Sequence, residues 1–432
     1  MKKRAGIEKQ NQEKPIAMTI AMQQLMLPLW VAMDATKKGL LAFVQQMGMV
    51  ALSELLAFEA AQIAGPKGKH NDGRTHHHWG AASTPMCFGG RNASIAHRRV
   101  RARGKGRDRE VTLPSLEALR EGDPLSARVA EQIVLGVSTR GYERSLDPID
   151  ESINARGTSK SNASRALIET TAEKLAEFVS CKLDDVDLVA MFIDGIEFAG
   201  RTVIIALGVT IDGTKLPLGL WAGSTENTVV VTELLSNLVH RGLRVERSTL
   251  FVIDGGKAIR KGLRDVLGDR AIVQRCQVHK ARNVRDHLPD SRRAYVVRQM
   301  RDAYASTTFS TAKKKLLQLA SWLKANGEDS AAASLREGLE ETLTVHRLGL
   351  PPTLRRTFAS TNAIENMNGS LRRIARNVKR WRDESMIRRW VALGIVEAQK
   401  GFRRVKGHNQ LPILIVALKP ITKLVAVEKN VA

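Results

Sequence analysis

Cysteine is scarce in this chain of 432 residues, which contains three thiols, at Cys87, Cys181 and Cys276. Thiols this few and this scattered do not form the dense cross-links that stabilise small secreted domains. Paired zinc ligands of CxxC or HxxxH spacing are also missing, although three consecutive histidines occupy 76–78. We therefore expect a protein of the reducing cytoplasm, without a metal site around these histidines.

A long uninterrupted apolar run is also missing near the start of the chain. Residues 16–33 are apolar on average, but Gln23 and Pro28 interrupt them. A membrane-spanning helix needs about 20 apolar residues, and a signal peptide ends at a small-residue cleavage site. The segment meets neither requirement, so we expect no membrane partner and interpret 17–64 as mostly helical.

Acidic residues are outnumbered, with 44 Asp and Glu against 68 Lys and Arg, which gives a formal charge of +24. An excess of this size favours a polyanionic partner, above all nucleic acid; a generally basic surface is the alternative. Hydrophobic residues make up 43% of the chain, enough for a sizeable core. The length allows two to four domains of about 100–200 residues each.

Two stretches of the N-terminal half are candidates for contacting DNA. Residues 93–116 alternate in polarity and predict a basic hairpin around Gly104–Gly106 that contacts phosphates. Residues 125–182 predict two short helices around a turn, as in helix-turn-helix proteins, with Lys160 and Arg165 facing the DNA groove. A plain helical linker explains the second pattern equally well.

The pattern changes at residue 187, where strand-like runs begin. The sequences DLVAMFIDG, RTVIIALGVTIDG and KLPLGLWAG predict three strands, with a tight turn at Asp212-Gly213. A helix, the buried strand STLFVIDGG, another helix and the run AIVQRC follow, which together indicate an α/β sheet. Residues 285–355 lose the strand pattern and predict an all-helical insert.

Three acids of this region are candidate metal ligands. Asp194 and Asp254 each follow a strand-like run and precede glycine, and ligands gather at the carboxyl ends of strands in open sheets. Mg²⁺ prefers such oxygen ligands, although Asp-Gly is also a common turn signal. Glu365 is a third acid that a helix after the insert could fold back, or else it forms a capping box with Asn362.

Basic residues follow Glu365 closely and predict contacts with a phosphate backbone. We call them the basic run: Arg372, Arg373, Arg376, Lys379 and Arg380. Asn366, Asn368 and Gly369 leave room for that backbone to approach. Two Mg²⁺ or Mn²⁺ ions on the three acids would activate a water or a 3′-hydroxyl and stabilise the leaving oxygen of a phosphoryl displacement.

Four ordered motifs also carry a family resemblance. They read FIDGIEFAGRTVIIALGVTIDGTKLPLGLWAGSTEN, LFVIDGGKAIRKGL, QRCQVHKARNVRDHLP and STNAIENMNGSLRR. Over roughly residues 90–400 the chain resembles the mutator-type transposases of bacterial insertion sequences. The resemblance implies a ribonuclease-H-like catalytic domain interrupted by a helical insert, with a DDE triad at Asp194, Asp254 and Glu365.

The resemblance also bears on three further residues. Cys276 and His279 match the family's C-x2-H element, and we interpret them as structural because no two further zinc ligands lie nearby at suitable spacing. In related transposases an aromatic residue of the insert can stack on a flipped base. Trp322 is the available candidate, although a core tryptophan is the simpler interpretation.

The predicted function is that of a DNA transposase that binds terminal inverted repeats and catalyses Mg²⁺-dependent strand cleavage and transfer. A metal-dependent nuclease or recombinase on the same fold, and a DNA-binding regulator derived from a transposase, are the alternatives. The expected partners are double-stranded DNA and a second copy of the chain, in a homodimer associated with the bacterial nucleoid.

The predicted organisation has seven parts. They are a helical N-terminal segment (1–64), a basic hairpin region (65–124), a helix-turn-helix-like region (125–186), the first part of the catalytic domain (187–284), the helical insert (285–355), the last helical part of the catalytic domain (356–400) and a C-terminal tail (401–432).

Overall fold

A computed structural model describes residues 37–66, 73–104, 109–120, 124–149, 153, 155–156, 158–244 and 247–418. The chain divides into two compact units, one formed by residues 1–129 and 139–163, the other by residues 130–138 and 164–432. The predicted region 125–186 is thus divided between the two. The apolar segment 16–33 lies outside the described residues.

The first unit packs one helix on a small sheet. Helix α1 (Lys37–Ala64) precedes a hairpin of β1 (His76–Phe88) and β2 (Arg91–Ala102). Two short strands, β3 (Glu110–Val111) and β4 (Ala155–Arg156), pair antiparallel with β2, and helix α2 (Pro114–Arg120) follows β3. The β2–β3 pairing agrees with a hairpin here, although residues 105–108 of the predicted turn lie outside the described residues, and its contact with phosphates stays a prediction. The histidines at 76–78 lie in β1.

Helix α1 is apolar along most of its length. Within the described residues, Leu41–Ala64 is the one segment whose length and composition would allow a helix to cross a membrane. Leu56, Ala60 and Ala64 are at most 1% exposed and form the core of the unit with side chains of β1 and β2. Only 6% of its apolar window is buried in the structure, and one such helix does not by itself define a membrane segment.

Two helices cover the predicted helix-turn-helix region, α3 (Pro124–Val134) and α4 (Lys160–Ser180). Residues 135–159, including strand β4, separate them, whereas a helix-turn-helix joins its helices by a turn of three or four residues. The structure therefore does not confirm that motif. Lys160 and Arg165 are exposed in the first two turns of α4.

The second unit is built on a five-stranded mixed sheet. Its strands are β5 (Leu188–Phe198), β6 (Arg201–Thr210), β7 (Lys215–Gly223), β8 (Thr249–Ile253) and β9 (Ala271–Arg275), arranged in the order β7-β6-β5-β8-β9. Strands β5 to β7 are antiparallel, and β8 and β9 run parallel to β5. The predicted α/β class, the three strands and the turn at Asp212-Gly213 are confirmed.

Helices cover both faces of this sheet. Helices α5 (Thr228–His240) and α6 (Lys257–Leu267) pack on the face that carries Met191 and Ile193 of β5. Because successive strand residues point to opposite faces, Phe192 and Ile196 lie on the other face. That second face is covered by helices that follow the insert.

The insert is entirely helical in the structure, as predicted. Helix α7 (Gln277–Asp286) leads into the predicted insert at 285–355. The helices within it are α8 (Asp290–Tyr304), α9 (Phe309–Ala325), α10 (Asp329–Arg336) and α11 (Thr344–Arg347), and α12 (Pro352–Phe358) extends past its end. Buried residues from Val284 to Leu343 give it a core of its own. Lys280, 1% exposed, fixes the end of α10 by donating to the carbonyls of Ser334 (2.6 Å) and Glu337 (2.7 Å).

Three helices complete the unit: α13 (Asn362–Ile374), α14 (Glu384–Gln399) and α15 (Leu411–Ala417). Helix α13 buries Ile364, Met367 and Leu371, one per turn, in the same core as Phe192 of the sheet. The helix that carries Glu365 therefore packs directly on the sheet face of Phe192.

Candidate active site

Asp194 and Asp254 lie side by side on neighbouring parallel strands. Ile193 of β5 pairs in register with Ile253 of β8, and each aspartate is the next residue along its strand. Neighbouring strands are about 4.8 Å apart, so the two carboxylates share one place on the sheet. Asp254 directly follows the end of β8, as predicted, but β5 continues past Asp194 to Phe198, because it remains paired with β6.

The hydrogen bonds of the aspartates fix them on the sheet face covered by α13. Asp194 alternates with Phe192 and Ile196, and its Oδ2 accepts a 2.9 Å bond from Nδ2 of Asn368 on α13. Oδ1 of Asp254 accepts a 2.8 Å bond from the backbone N–H of Gly256. Helix α13 therefore orients the carboxylate of Asp194, and the turn after β8 orients that of Asp254.

Glu365 does not form the predicted capping box. Thr361 is the N-cap residue of α13, but its side chain makes no capping bond to the backbone. Instead, its Oγ1 donates to Glu365 Oε1 at 2.5 Å, which points the carboxylate back along the helix. Nε2 of His279 lies 3.8 Å from the same oxygen.

The environment of Asp194 includes the charges of the other two predicted acids. Burial raises the pKa of Asp194 to about 6, and the charges of Asp254 and Glu365 add to the rise, while His279 opposes it. Like charges raise a carboxyl pKa in this way only over short distances. Glu365 lies one turn before Asn368, whose amide contacts Asp194, so α13 brings the third predicted acid toward the two aspartates.

Cys276 and His279 lie directly beside Glu365. Cys276 is fully buried at the N-cap of α7, where its Sγ accepts the backbone N–H of His279 (3.5 Å) and lies 3.4 Å from Oγ1 of Thr361. One potential ligand atom from each of Cys276, His279 and Glu365 lies within 4.8 Å of the other two. Among the described residues this potential metal-binding group therefore has three members, Glu365 in addition to the Cys276–His279 pair predicted from the sequence.

The thiol and the imidazole interact electrostatically. Burial raises the pKa of the Cys276 thiol, but hydrogen bonds from His279 and Thr361 outweigh it, and the net shift is downward. The hydrogen bond with Cys276 raises the pKa of His279, with contributions from the charges of Glu365 and Asp254. These interactions favour the protonated, positively charged form of His279 beside the acids.

Glu226 is a fourth acid of this site, which the sequence interpretation missed. It directly precedes Asn227, whose side chain caps α5 by accepting the N–H of Val230. Burial raises the pKa of Glu226 to about 7, and the charges of Asp254 and Asp194 contribute. Its position inside the GSTEN part of the first motif was the available signal, but an acid before a helix usually only favours the helix dipole.

The remaining predicted residues lie at different places. The five side chains of the basic run are exposed on the last turn of α13 and the segment after it. None of them forms an ion pair with an acid of the described residues. Trp322 packs partly buried against the core of the insert, with its ring 5.0 Å from that of Tyr295.

Comparison with known proteins defines the family of this chain. The family model described as Transposase, Mutator family, matches residues 116–404, which include all four acids of the site. This chain belongs to the Mutator family of transposases. The match also covers the insert, the basic run and the Cys276–His279 pair.

Curated relatives are transposases of insertion sequences. One, for the element ISRM5 of Rhizobium meliloti, is 30% identical over 263 residues, or 58% of this chain and 62% of the relative. A probable transposase of Corynebacterium diphtheriae is 25% identical over 224 residues, 49% and 61% of the two chains. The transposase for IS905 of Lactococcus lactis is 26% identical over 286 residues, 63% and 68%. The chain thus spans less than two thirds of the first two relatives.

We predict that Asp194→Asn stabilises the protein in the absence of divalent metal. Because the pKa of Asp194 is raised from 3.8 to about 6 on folding, the stabilising protonated form persists at low pH and is lost as the pH rises through 6. The variant should gain about 2 kcal/mol of unfolding free energy over wild type at pH 8, and little at pH 4. Urea unfolding in EDTA at both pH values measures this, and lower stability of the variant at pH 8 would contradict it.

A second prediction concerns Cys276→Ser. Serine is a good N-cap residue, so the variant should keep α7 and lose about 1 kcal/mol of stability through poorer packing of the buried site. Elemental analysis of both purified proteins completes the test. Stoichiometric zinc in the wild type that disappears in Cys276→Ser would show a metal site instead of the structural role predicted for the pair.

Proposed function

We propose that this protein is a DNA transposase that cleaves DNA strands and transfers their 3′ ends, with Asp194, Asp254 and Glu365 as its metal-binding catalytic residues. One observation carries the proposal, namely that β5, β8 and α13 bring these three carboxylates to one place on the sheet. Membership of the Mutator family of transposases supports it.

The architecture supports a ribonuclease-H-like assignment for the catalytic domain. Three antiparallel strands lead into two parallel ones, in the order β7-β6-β5-β8-β9, with helices on both faces. The acids lie on the central strand β5, at the end of β8 and on a helix across one face. This placement supports our proposal that the three acids form a DDE triad.

The residues at the site fit a divalent cation of the Mg²⁺ class. Carboxylate and amide oxygens are the ligands that Mg²⁺ prefers. The side chain of Asn368 is 1% exposed, and its Oδ1 is buried without a hydrogen-bond donor among the described residues. This unpartnered oxygen adjoins Asp194 and fits a site that holds a further ligand.

Each protein group has a distinct part in the proposed chemistry. When bound, two Mg²⁺ or Mn²⁺ ions would lower the pKa of the attacking hydroxyl or water and stabilise the leaving oxygen. Asn368 holds Asp194 in one rotamer, and Gly256 does the same for Asp254 through its N–H. Thr361 and His279 hold Glu365 near the aspartates.

Helix α13 also suits a role in holding DNA. Glu365 and Arg372 are seven residues apart, so they lie on the same side of the helix. The basic run therefore begins beside the acids and extends away from them, and we infer that it holds the phosphates next to the scissile bond. Lys160 and Arg165 of α4 are proposed to contact DNA outside the site, at the terminal inverted repeats. The dimer remains part of this proposal.

We predict that Asp254→Asn and Glu365→Gln each abolish strand cleavage and leave DNA binding intact. Both changes remove a negative charge and keep the shape of the side chain. In Glu365→Gln the amide oxygen of the new side chain can still accept the Thr361 hydroxyl, so the local fold should persist. A cleavage assay with end-labelled DNA in Mg²⁺, alongside a gel shift, measures the two properties.

The controls for this prediction separate the alternatives. Glu397→Gln, which removes an acid of α14 paired with Lys400, should cleave normally. Full cleavage by Glu365→Gln would remove that residue from the triad. A wild type that cuts DNA without ever joining a 3′-hydroxyl to a target would instead be a nuclease.

A fourth prediction concerns the basic run. Each phosphate contact contributes about 0.9 to the slope of log affinity against log salt. The double variant Arg372→Ala with Arg376→Ala should therefore lower that slope by about 2. Lys314→Ala with Lys324→Ala removes the same charge from exposed positions of α9. An equal change in this control would show that net charge alone acts.

A further inference from the structure

The glycines beside the two aspartates, one within strand β5 and one in the turn after β8, have a common feature. Gly195 follows Asp194 directly, and Gly256 follows Asp254 by two residues. A Cβ built on Gly195 would lie 3.2 Å from Glu226 Oε2, and one on Gly256 would overlap Glu226 Oε1. Neither Gly195 nor Gly256 has a positive φ, so other residues could adopt their backbone angles. Gly255, between Asp254 and Gly256, is the glycine with a positive φ, of +107°. Their missing side chains therefore leave room for one carboxylate.

Glu226 approaches the aspartates from the face opposite α13. Asp194 points toward α13, so Gly195, the next residue of β5, faces the side on which α5 packs. Glu226 lies at the start of α5 on that side. The position that a Cβ of Gly256 would take is also 3.2 Å from Oδ1 of Asp254, so it adjoins both carboxylates.

No described cation neutralises Glu226. Within the described part of the chain it forms no ion pair and no side-chain hydrogen bond, although it is partly buried beside two aspartates. The unpartnered Oδ1 of Asn368 lies on the other side of Asp194 and independently indicates a missing ligand. Three acids close together, with His279 as a cation that acts on Asp194 but none paired with Glu226 in the described residues, form a site that a divalent cation would stabilise.

We propose that Glu226 is a fourth carboxylate ligand of the metal centre, holding a divalent cation jointly with Asp254 from the face opposite Glu365. This inference rests on the proposed function, because it assumes that the aspartates bind metal. Glu365 and Glu226 would then approach the aspartate pair from opposite sides. Gly195 and Gly256 are required because any side chain at these positions would occupy the space of the Glu226 carboxylate.

Mn²⁺ binding to the full-length protein without DNA tests the proposal, read by the EPR signal of free Mn²⁺. Glu226→Gln should weaken binding about tenfold or more, because a charged ligand is lost. In EDTA the same variant should have a higher urea midpoint than wild type, because a buried charge is removed. Glu197→Gln, an exposed acid two residues beyond Gly195 on β5, should change neither measurement.

Gly256→Ala gives a second variant that keeps the acid. Its methyl group should displace the Glu226 carboxylate and weaken Mn²⁺ binding, while Asp254 retains its bond to the backbone N–H at this position. Wild-type Mn²⁺ binding by Glu226→Gln would overturn the proposal, as would a lower urea midpoint in EDTA, which indicates a structural acid.

Asp254→Asn separates this inference from the proposed function. If Asp254→Asn loses Mn²⁺ and Glu226→Gln retains it, the metal centre stands and the role of Glu226 is wrong. If Asp254→Asn also binds Mn²⁺ like the wild type, the metal centre itself is wrong.

Discussion

The parallel pairing of β5 with β8 is the constraint on which the site depends. It fixes Asp194 beside Asp254 through the Ile193–Ile253 register, and a shift of one residue would turn either side chain to the opposite face. Buried apolar residues on both faces, such as Phe192 and Ile193, prevent such a shift. The chemistry of the aspartates is therefore secured by the packing of their neighbours.

The site concentrates negative charge where the fold would be more stable without it. Burial and like charges raise the pKa of both Asp194 and Glu226, and His279 opposes the rise at Asp194. Such local destabilisation is common where a site awaits a ligand, and the rest of the fold must offset it. The large apolar cores on the two sheet faces do so here.

Sequence reasoning predicted what depends on local pattern. The strands β5 to β9, the helical insert and the two aspartates follow from apolar runs and turn residues near in sequence. It misjudged Asp194-Gly195 as the end of a strand, because the continued pairing with β6 is not visible in a single run. It missed Glu226 because this acid lies just before α5, on the sheet face opposite α13, and nothing in its spacing to the aspartates indicates that it lies near them. The helix-turn-helix prediction is not confirmed, because residues 135–159, with strand β4, lie between α3 and α4.

The insert leaves and re-enters the catalytic unit at almost the same point. The backbone N–H of Gln277 donates to the carbonyl of Ala359 at 2.8 Å, and Cys276 contacts Thr361. The chain between these residues thus forms a closed insertion whose two ends are hydrogen-bonded to each other and which has its own hydrophobic core. The cost of closing such a loop grows only slowly with its length. The insert can therefore change in length and fold between related chains while the acids that precede and follow it keep their positions.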